Sequence, residues 1–287
     1  MTDRGMTSLE AHDAPLVDCH AHIFQADLPI AAGAWNRPDY GFEAEDYLRL
    51  LSAHGVHFGI VAGISISGFY NDYMIEALRR HKRLRGTAIL PPNTDRYTLD
   101  RMAADGIVGL RLQLARRPDL PDLSGDDYRL LLRRVADLGW HVHVAVEADR
   151  LDPVLTALEA SGVRIVLDHF AHPDPSRAEE CFGFARTLRS VEMGRTWIKL
   201  SGGFRLHDLP FEGRPVAADG DALADRIAPV LLANAGTERL LWGSDAPFVG
   251  HEPAVRYRDV IDAFKRWVPD PRARDAISRT ALKFYFG

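Results

Sequence analysis

Cysteine is scarce in this chain, with only Cys19 and Cys181 in 287 residues. Neither has the C-x-x-C spacing of a redox or zinc motif, so a disulfide framework and a cysteine-bound metal are both excluded, and both read as buried thiols. No apolar run approaches the ~20 residues of a membrane span. Runs of Lys and Arg are missing too, and the net charge is −5, which argues against nucleic acid or an anionic membrane as partner. No low-complexity tract or Pro/Gly-rich linker divides the chain. Residues 1–14 lack an apolar stretch behind a basic start, so they read as a flexible N-terminal tail rather than a signal peptide, and a cytoplasmic protein is expected. A small soluble molecule remains as substrate, and the oligomeric state is open.

What the chain does contain is an ordinary globular mixture, 46% hydrophobic and 26% charged, long enough to bury a large core. Eight strand-like runs follow one another: LVDCHAHIF, GIVAGI, LRGTAIL, VGLRLQL, WHVHVAV, VRIVLDH, TWIKLS and RLLWGSD. Amphipathic segments such as EAEDYLRLLSAHG, SGDDYRLLLRRVADLG and DPVLTALEASG lie between them, closing on Gly55, Gly139 and Gly162. Strict alternation of strand and helix demands parallel strands with right-handed crossovers. Eight such units predict a single (β/α)8 TIM barrel of the α/β class over residues 15–287. A doubly wound open sheet is the runner-up, weakened because no glycine-rich phosphate fingerprint follows the first strand.

The first run places Asp18, His20, His22 and Phe24 on one strand face by alternation, and Val17, Cys19, Ala21 and Ile23 on the other. An isolated His-x-His is more often a pair of hydrogen-bonded core groups than a site. In a barrel, however, active sites form at the carboxyl ends of the strands, and the polar residues collect there. Strand 1 supplies His20 and His22, strand 6 ends at His169, strand 8 ends at Asp245, strand 4 offers Arg111 and Gln113, and Arg205 follows strand 7. The plain alternatives are a structural role for His169 and a helix N-cap for Asp245. Asp168 is expected to point outward, toward a helix. His141 and His143 read as barrel filling.

VDCHAHIF, VLDHFAHPD, TWIKLSGGFRL and LLWGSDAP together resemble the amidohydrolase superfamily, in the branch of 2-pyrone-4,6-dicarboxylate lactonase and related sugar-lactone hydrolases. The resemblance implies a barrel hydrolase acting on carboxylic ester bonds, with Asp245, His20, His22 and His169 as its catalytic set. If a metal is present, it implies a single divalent ion such as zinc on those four residues. Two-metal relatives carry a strand-4 lysine and a strand-5 histidine; this chain has Arg111 and Ala145 instead. The resemblance implies that the pyrone-lactonase type works without metal, whereas some sibling lactonases hold zinc at this constellation, and no cofactor is expected to be required. Arg111, Arg117 and Arg205 resemble the trio that grips substrate carboxylates, for which planar guanidinium groups are suited. Tyr40 can add a hydroxyl from the first loop, with packing as its plain alternative. His172 stands where relatives often have a more basic residue.

The expected reaction is opening of a carboxylated, pyrone-dicarboxylate-like lactone. Asp245 activates the water, and the histidines donate to the developing oxyanion. The alternatives are a sugar-acid lactonase of the fuconolactone or rhamnonolactone type, and a zinc-dependent decarboxylase of an aromatic or muconate-type acid. A non-catalytic anion-binding barrel is the third.

Overall fold

A computed structural model describes residues 14–209 and 219–287. The tail read over residues 1–14 therefore lies, apart from Ala14, outside the described residues. Eight strands form one sheet in chain order, and every ladder between neighbours is parallel. They are β1 (Val17–Ala21), β2 (Phe58–Ala62), β3 (Leu84–Ala88), β4 (Ile107–Gln113), β5 (His141–Ala145), β6 (Arg164–Leu167), β7 (Thr196–Ser201) and β8 (Leu240–Gly243). The first and last strands meet just past the end of β8. There the Asp245 amide donates to the His20 carbonyl at 2.7 Å, and the His22 amide donates to the Ala246 carbonyl at 2.7 Å. The sheet thus closes into a (β/α)8 barrel, not the open sheet held as runner-up.

Helices α1 (Ala44–Ala53), α2 (Asp72–Arg80), α3 (Arg96–Asp105), α4 (Asp126–Asp137), α5 (Leu151–Ser161), α6 (Phe182–Glu192), α7 (Gly220–Ala235) and α8 (Tyr257–Trp267) surround it. Local sequence sets their limits. Asp95 caps α3 by accepting the Thr98 amide at 2.9 Å. Gly162, at φ +74°, ends α5 in the left-handed region that favours glycine. A ninth helix among the described residues, α9 (Pro271–Phe286), seals the amino end of the barrel. Its Ala281 and Tyr285 pack against Val17, Ile60, Val166, Trp197 and Leu241.

Alternation sorts the strands into an outer and an inner set. Leu110, Leu112, Val142, Val144, Ile198 and Leu200 join the core shared with the helices. Arg111, His141, His143, Lys199 and Ser201 have the opposite parity and point into the barrel, where all five are buried. His141 packs on Phe284 and Tyr285 at the amino end, as barrel filling. No helix among the described residues is long and apolar enough to cross a membrane.

Candidate active site

Strand β1 changes face partway along. Its pairing with β2 shifts between Asp18 and Ala21, and this irregularity breaks strict alternation. Val17 and Cys19 belong to the inner cluster, whereas Ala21 and Ile23 belong to the outer one. His20 and His22 consequently face the interior, but Asp18 does not share their face. Its carboxylate instead accepts from Ser244 Oγ at 2.6 Å and from Tyr257 Oη of α8 at 3.0 Å. The approach of β8 to this irregular strand depends on Gly243, because a Cβ there would lie 2.7 Å from His20 Cβ and 2.8 Å from His20 N.

Around that seam the residues converge. His20 Nε2 and His22 Nε2 are 3.4 Å apart, and each lies within 3.5 Å of Asp245 Oδ1. Asp245 Oδ2 is 2.6 Å from Arg205 Nε. His169 places Nδ1 3.0 Å from Ser201 Oγ, with its ring 4.8 Å from that of His20. A run of four non-glycine residues with positive φ, His169 to His172, makes the turn that carries His169 and His172 to the cleft. His22, Arg111, Gln113, His169, Arg205 and Asp245 all line this cleft, with Ala145 at the end of β5.

Asp168 is a correction to the sequence reading. Val166 faces inward on β6, so the same parity two residues on buries Asp168 among charges instead of turning it toward a helix. His20 Nδ1 donates to its Oδ1 at 3.0 Å, Arg111 Nη2 donates to its Oδ2 at 3.2 Å, and His143 Nε2 is in hydrogen-bond contact with Oδ1. Lys199 Nζ lies 3.6 Å from Asp168 Oδ1 and 2.9 Å from His143 Nε2. His143 is therefore part of the charged network beneath the site rather than filling alone. Lys199 carries no mark in the sequence reading. Its one available signal was its inward parity with Ser201 inside the apolar run TWIKLS.

Burial alone would raise the Asp168 carboxyl, but His143, His20 and Lys199 hold it well below the usual carboxylate range. Burial likewise opposes ionisation of Asp245, and Arg205 and His169 outweigh it, so this carboxyl is also held low. Burial pushes His20, His143 and His169 well below the ordinary histidine value and His172 down to about 4. It brings Lys199 down to about 8.

The remaining predicted residues divide. Arg111 is buried with Nε free of a hydrogen-bond partner among the described residues. Both ring nitrogens of the buried His172 are likewise unpartnered there. Arg205 donates Nη2 to the Val249 carbonyl, while its Nε and Asp245 Oδ2 form an ion pair without hydrogen-bond geometry. Arg117 is exposed and is not among the cleft-lining residues. Counting alternate residues from Arg111 points to Arg117, but the Leu114 and Ala115 amides both donate to the Ala145 carbonyl at 2.8 Å, which inserts an extra residue and brings Arg116 to the cleft. Tyr40 is half-buried, and its hydroxyl donates to Glu252 Oε1 at 2.6 Å.

The ring tautomers test whether a metal ion fits. His22 Nδ1 donates to the Ala62 carbonyl at 2.8 Å, as His20 Nδ1 does to Asp168, so each ring turns its Nε2 to Asp245 Oδ1, and a ring carrying no second proton presents a bare lone pair there. Three acceptors face one another and require a positive partner. Rings oriented by a carboxylate or a carbonyl in this way are those of metal ligands, and His20, His22 and Asp245 fit one divalent ion.

The sequence matches the family profile described as Amidohydrolase over residues 17–287. Over 267 residues the chain is 25% identical to a 4-sulfomuconolactone hydrolase of Rhizobium radiobacter, covering 91% of this chain and 86% of that one. Over 242 residues it is 27% identical to a 2-pyrone-4,6-dicarboxylate hydrolase of Comamonas testosteroni, covering 82% and 77%. A solved structure from Pseudomonas putida, described as a 2-pyrone-4,6-dicarboxylic acid hydrolase, is 34% identical with a TM-score of 0.84, covering 95% of this chain and 97% of that one. The family commonly binds a divalent metal. With the His-x-His of β1, the β6 histidine turn and the aspartate after β8 gathered at the carboxyl end of one barrel, and with the profile matching nearly the whole chain, this protein belongs to the amidohydrolase family.

Proposed function

We propose that this protein is a hydrolase that opens a lactone carrying a carboxylate, with Asp245 as the base. One observation carries the reading: Asp245, whose carboxyl is held low, shares a single cleft with His22, His169 and Arg111, and the Arg111 Nε has no hydrogen-bond partner among the described residues. A carboxylate on the lactone is taken by Arg111 through charge-assisted hydrogen bonds, which places the ring ester over Asp245. Asp245 removes a proton from water as that water attacks the ester carbonyl carbon. His169, whose Ser201 partner can either donate or accept, turns its Nε2–H to the developing oxyanion. When the tetrahedral centre collapses, the C–O bond of the ring breaks and Asp245 returns the proton to the departing oxygen. Arg205, paired with Asp245, orients the carboxylate between these steps.

The positive charge that His20, His22 and Asp245 require is, in this reading, a proton on His22, the less buried of the two rings and the one where a charge is better solvated. With its Nδ1–H on the Ala62 carbonyl, the resulting imidazolium donates its one remaining N–H, at Nε2, to Asp245, and the oxyanion is left to His169, so turnover needs no metal. Where a divalent ion is bound, His20, His22 and Asp245 hold it, and it supplies Lewis-acid polarisation of the ester carbonyl.

The test is a panel of pyrone carboxylates and neutral sugar lactones, followed by acid release in a pH-stat, before and after exhaustive treatment with EDTA. The expected result is turnover of a carboxylated lactone that persists in the metal-depleted protein, without carbon dioxide. Preference for neutral sugar lactones would move the substrate class, and released carbon dioxide would replace hydrolysis with decarboxylation. Zinc-reversible loss of activity would replace the proton on His22 with an ion held by His20, His22 and Asp245.

A further inference from the structure

Lys199 stands in the middle of the barrel and takes no part in the chemistry above. On the inward face of β7 it lies between Trp197, which packs toward the amino end, and Ser201, which holds His169. Lys199 and Asp168 are fully buried, and Arg111 is 4% exposed. Filling that layer of the barrel requires only an apolar side chain, because a buried ammonium group is costly and apolar residues of similar volume serve a core as well or better. Lys199 Nζ lies 3.6 Å from Asp168 Oδ1, and Arg111 Nη2 donates to Asp168 Oδ2 at 3.2 Å. One carboxylate is thus set between two cations, one at each oxygen. Nζ is also 2.9 Å from His143 Nε2 and 3.4 Å from His20 Nδ1, but burial holds both rings well below the ordinary histidine value, so they add no charge at pH 7. The nearby Cys19 thiol, pushed up by burial, adds none either. Asp245 and Arg205 pair with each other.

With Asp168 facing it alone, Arg111 would belong to a neutral buried pair, and a guanidinium already neutralised offers a second anion little attraction. Lys199 changes that balance, because two cations face one anion and one net positive charge remains. The charge is expressed at Arg111, which lines the cleft where Lys199 does not. The other contact of Arg111, from Nη1 to the Gly63 carbonyl, is with a neutral group. Inside a protein, where the effective dielectric is well below that of water, a charge is felt over the length of a side chain. We infer that Lys199 is a positioning residue for anion binding, one that never touches the ligand: it takes up the charge of Asp168 and so leaves Arg111 its own for a carboxylate. The inference rests on the reading of Arg111 as a carboxylate site. It assigns the strength of that site to a side chain on β7, a strand that does not adjoin β4.

Calorimetric titration of the full chain at pH 7 with benzoate and with its neutral isostere benzamide tests this directly, because neither has an ester to be opened. The wild-type protein is expected to bind benzoate at least about tenfold more tightly than benzamide, the worth of one charge-assisted contact. K199M removes the cation and keeps the bulk, so it should weaken benzoate by about tenfold and leave benzamide within about threefold. D168N leaves two cations and no anion, and it should bind benzoate at least as tightly as the wild type. The double variant K199M/D168N leaves Arg111 unopposed again and should recover benzoate binding to within about threefold. A residue that merely supports the wall of the cleft would give neither the opposite signs nor the recovery. Thermal melting checks that each variant folds, and K199Q replaces K199M in both comparisons if the methionine is not accommodated. A K199M that keeps the benzoate preference, a D168N that loses it, or a double variant as weak as K199M would each overturn the inference. Equal binding of benzoate and benzamide by the wild type would remove the Arg111 site and the inference with it. Failure of every lactone in the panel, with the binding pattern intact, would end the hydrolytic reading and leave the role of Lys199 standing.

Discussion

Burial alone would push the Asp245 carboxyl up, and Arg205 Nε at 2.6 Å together with His169 reverses that direction. Two consequences separate chemistry from electrostatics. Asp245→Asn keeps the shape but cannot take a proton, so kcat should fall by roughly 10² or more with KM changed far less, as steady-state kinetics on a carboxylated lactone will show. Arg205→Met removes the largest influence holding the carboxyl low, and desolvation then dominates. The acid limb of the kcat/KM profile should move to higher pH, because the base becomes protonated before the pH has fallen as far. An unmoved limb in R205M would mean that a different group sets it. The histidines and Asp245 were legible in the sequence because residue type and strand-end position both pointed to them. Asp168 and Lys199 were not, since a lone aspartate or lysine on a strand ordinarily faces solvent. Their burial depends on each other and on His20, Arg111 and His143 from other strands, which local pattern does not reveal.

The strands themselves were the most readable elements, as TWIKLS coincides with β7, and each of the eight runs overlaps a strand of the barrel, those of β2 and β4 starting one residue late. Parity along them was readable only where no residue was inserted. The shift in β1 separates Asp18 from His20, and the doubled contact at Ala145 exchanges Arg117 for Arg116 at the cleft. A single extra residue inverts every later in-or-out assignment on that strand, and nothing in the amino-acid pattern announces it. The β1 irregularity also sets a packing limit on β8. Gly243→Ala would drive a methyl against the backbone and Cβ of His20, so the variant should lose about 1 to 3 kcal/mol in urea unfolding and most of its turnover. An active, fully stable G243A would mean that the two strands can separate without harm to the histidines.

At the scale of the molecule, a chain of net charge −5 concentrates Arg111, Arg116 and Arg205 around one opening. The local field there opposes the overall one, so an anion near the opening is drawn by the nearer charges. Raising the salt from about 10 mM to about 500 mM shrinks the Debye length from roughly 30 Å to a few ångströms. The specificity constant for a dianionic lactone should then drop several-fold while that for a neutral lactone stays level, a comparison made with one enzyme preparation and two substrates. The seam carries a different kind of information. His20 and His22 belong to the first strand and Asp245 follows the last, and they are fastened by amide bonds between Asp245 and His20 and between His22 and Ala246. Contacts between the first and last strands of a barrel close a loop that spans most of the chain, and the entropy of closing it must be met before the contacts can stabilise the fold. Returning enzyme activity during refolding therefore times the closure of the ring, and it should lag behind the far-ultraviolet signal of the helices, which form from neighbouring residues.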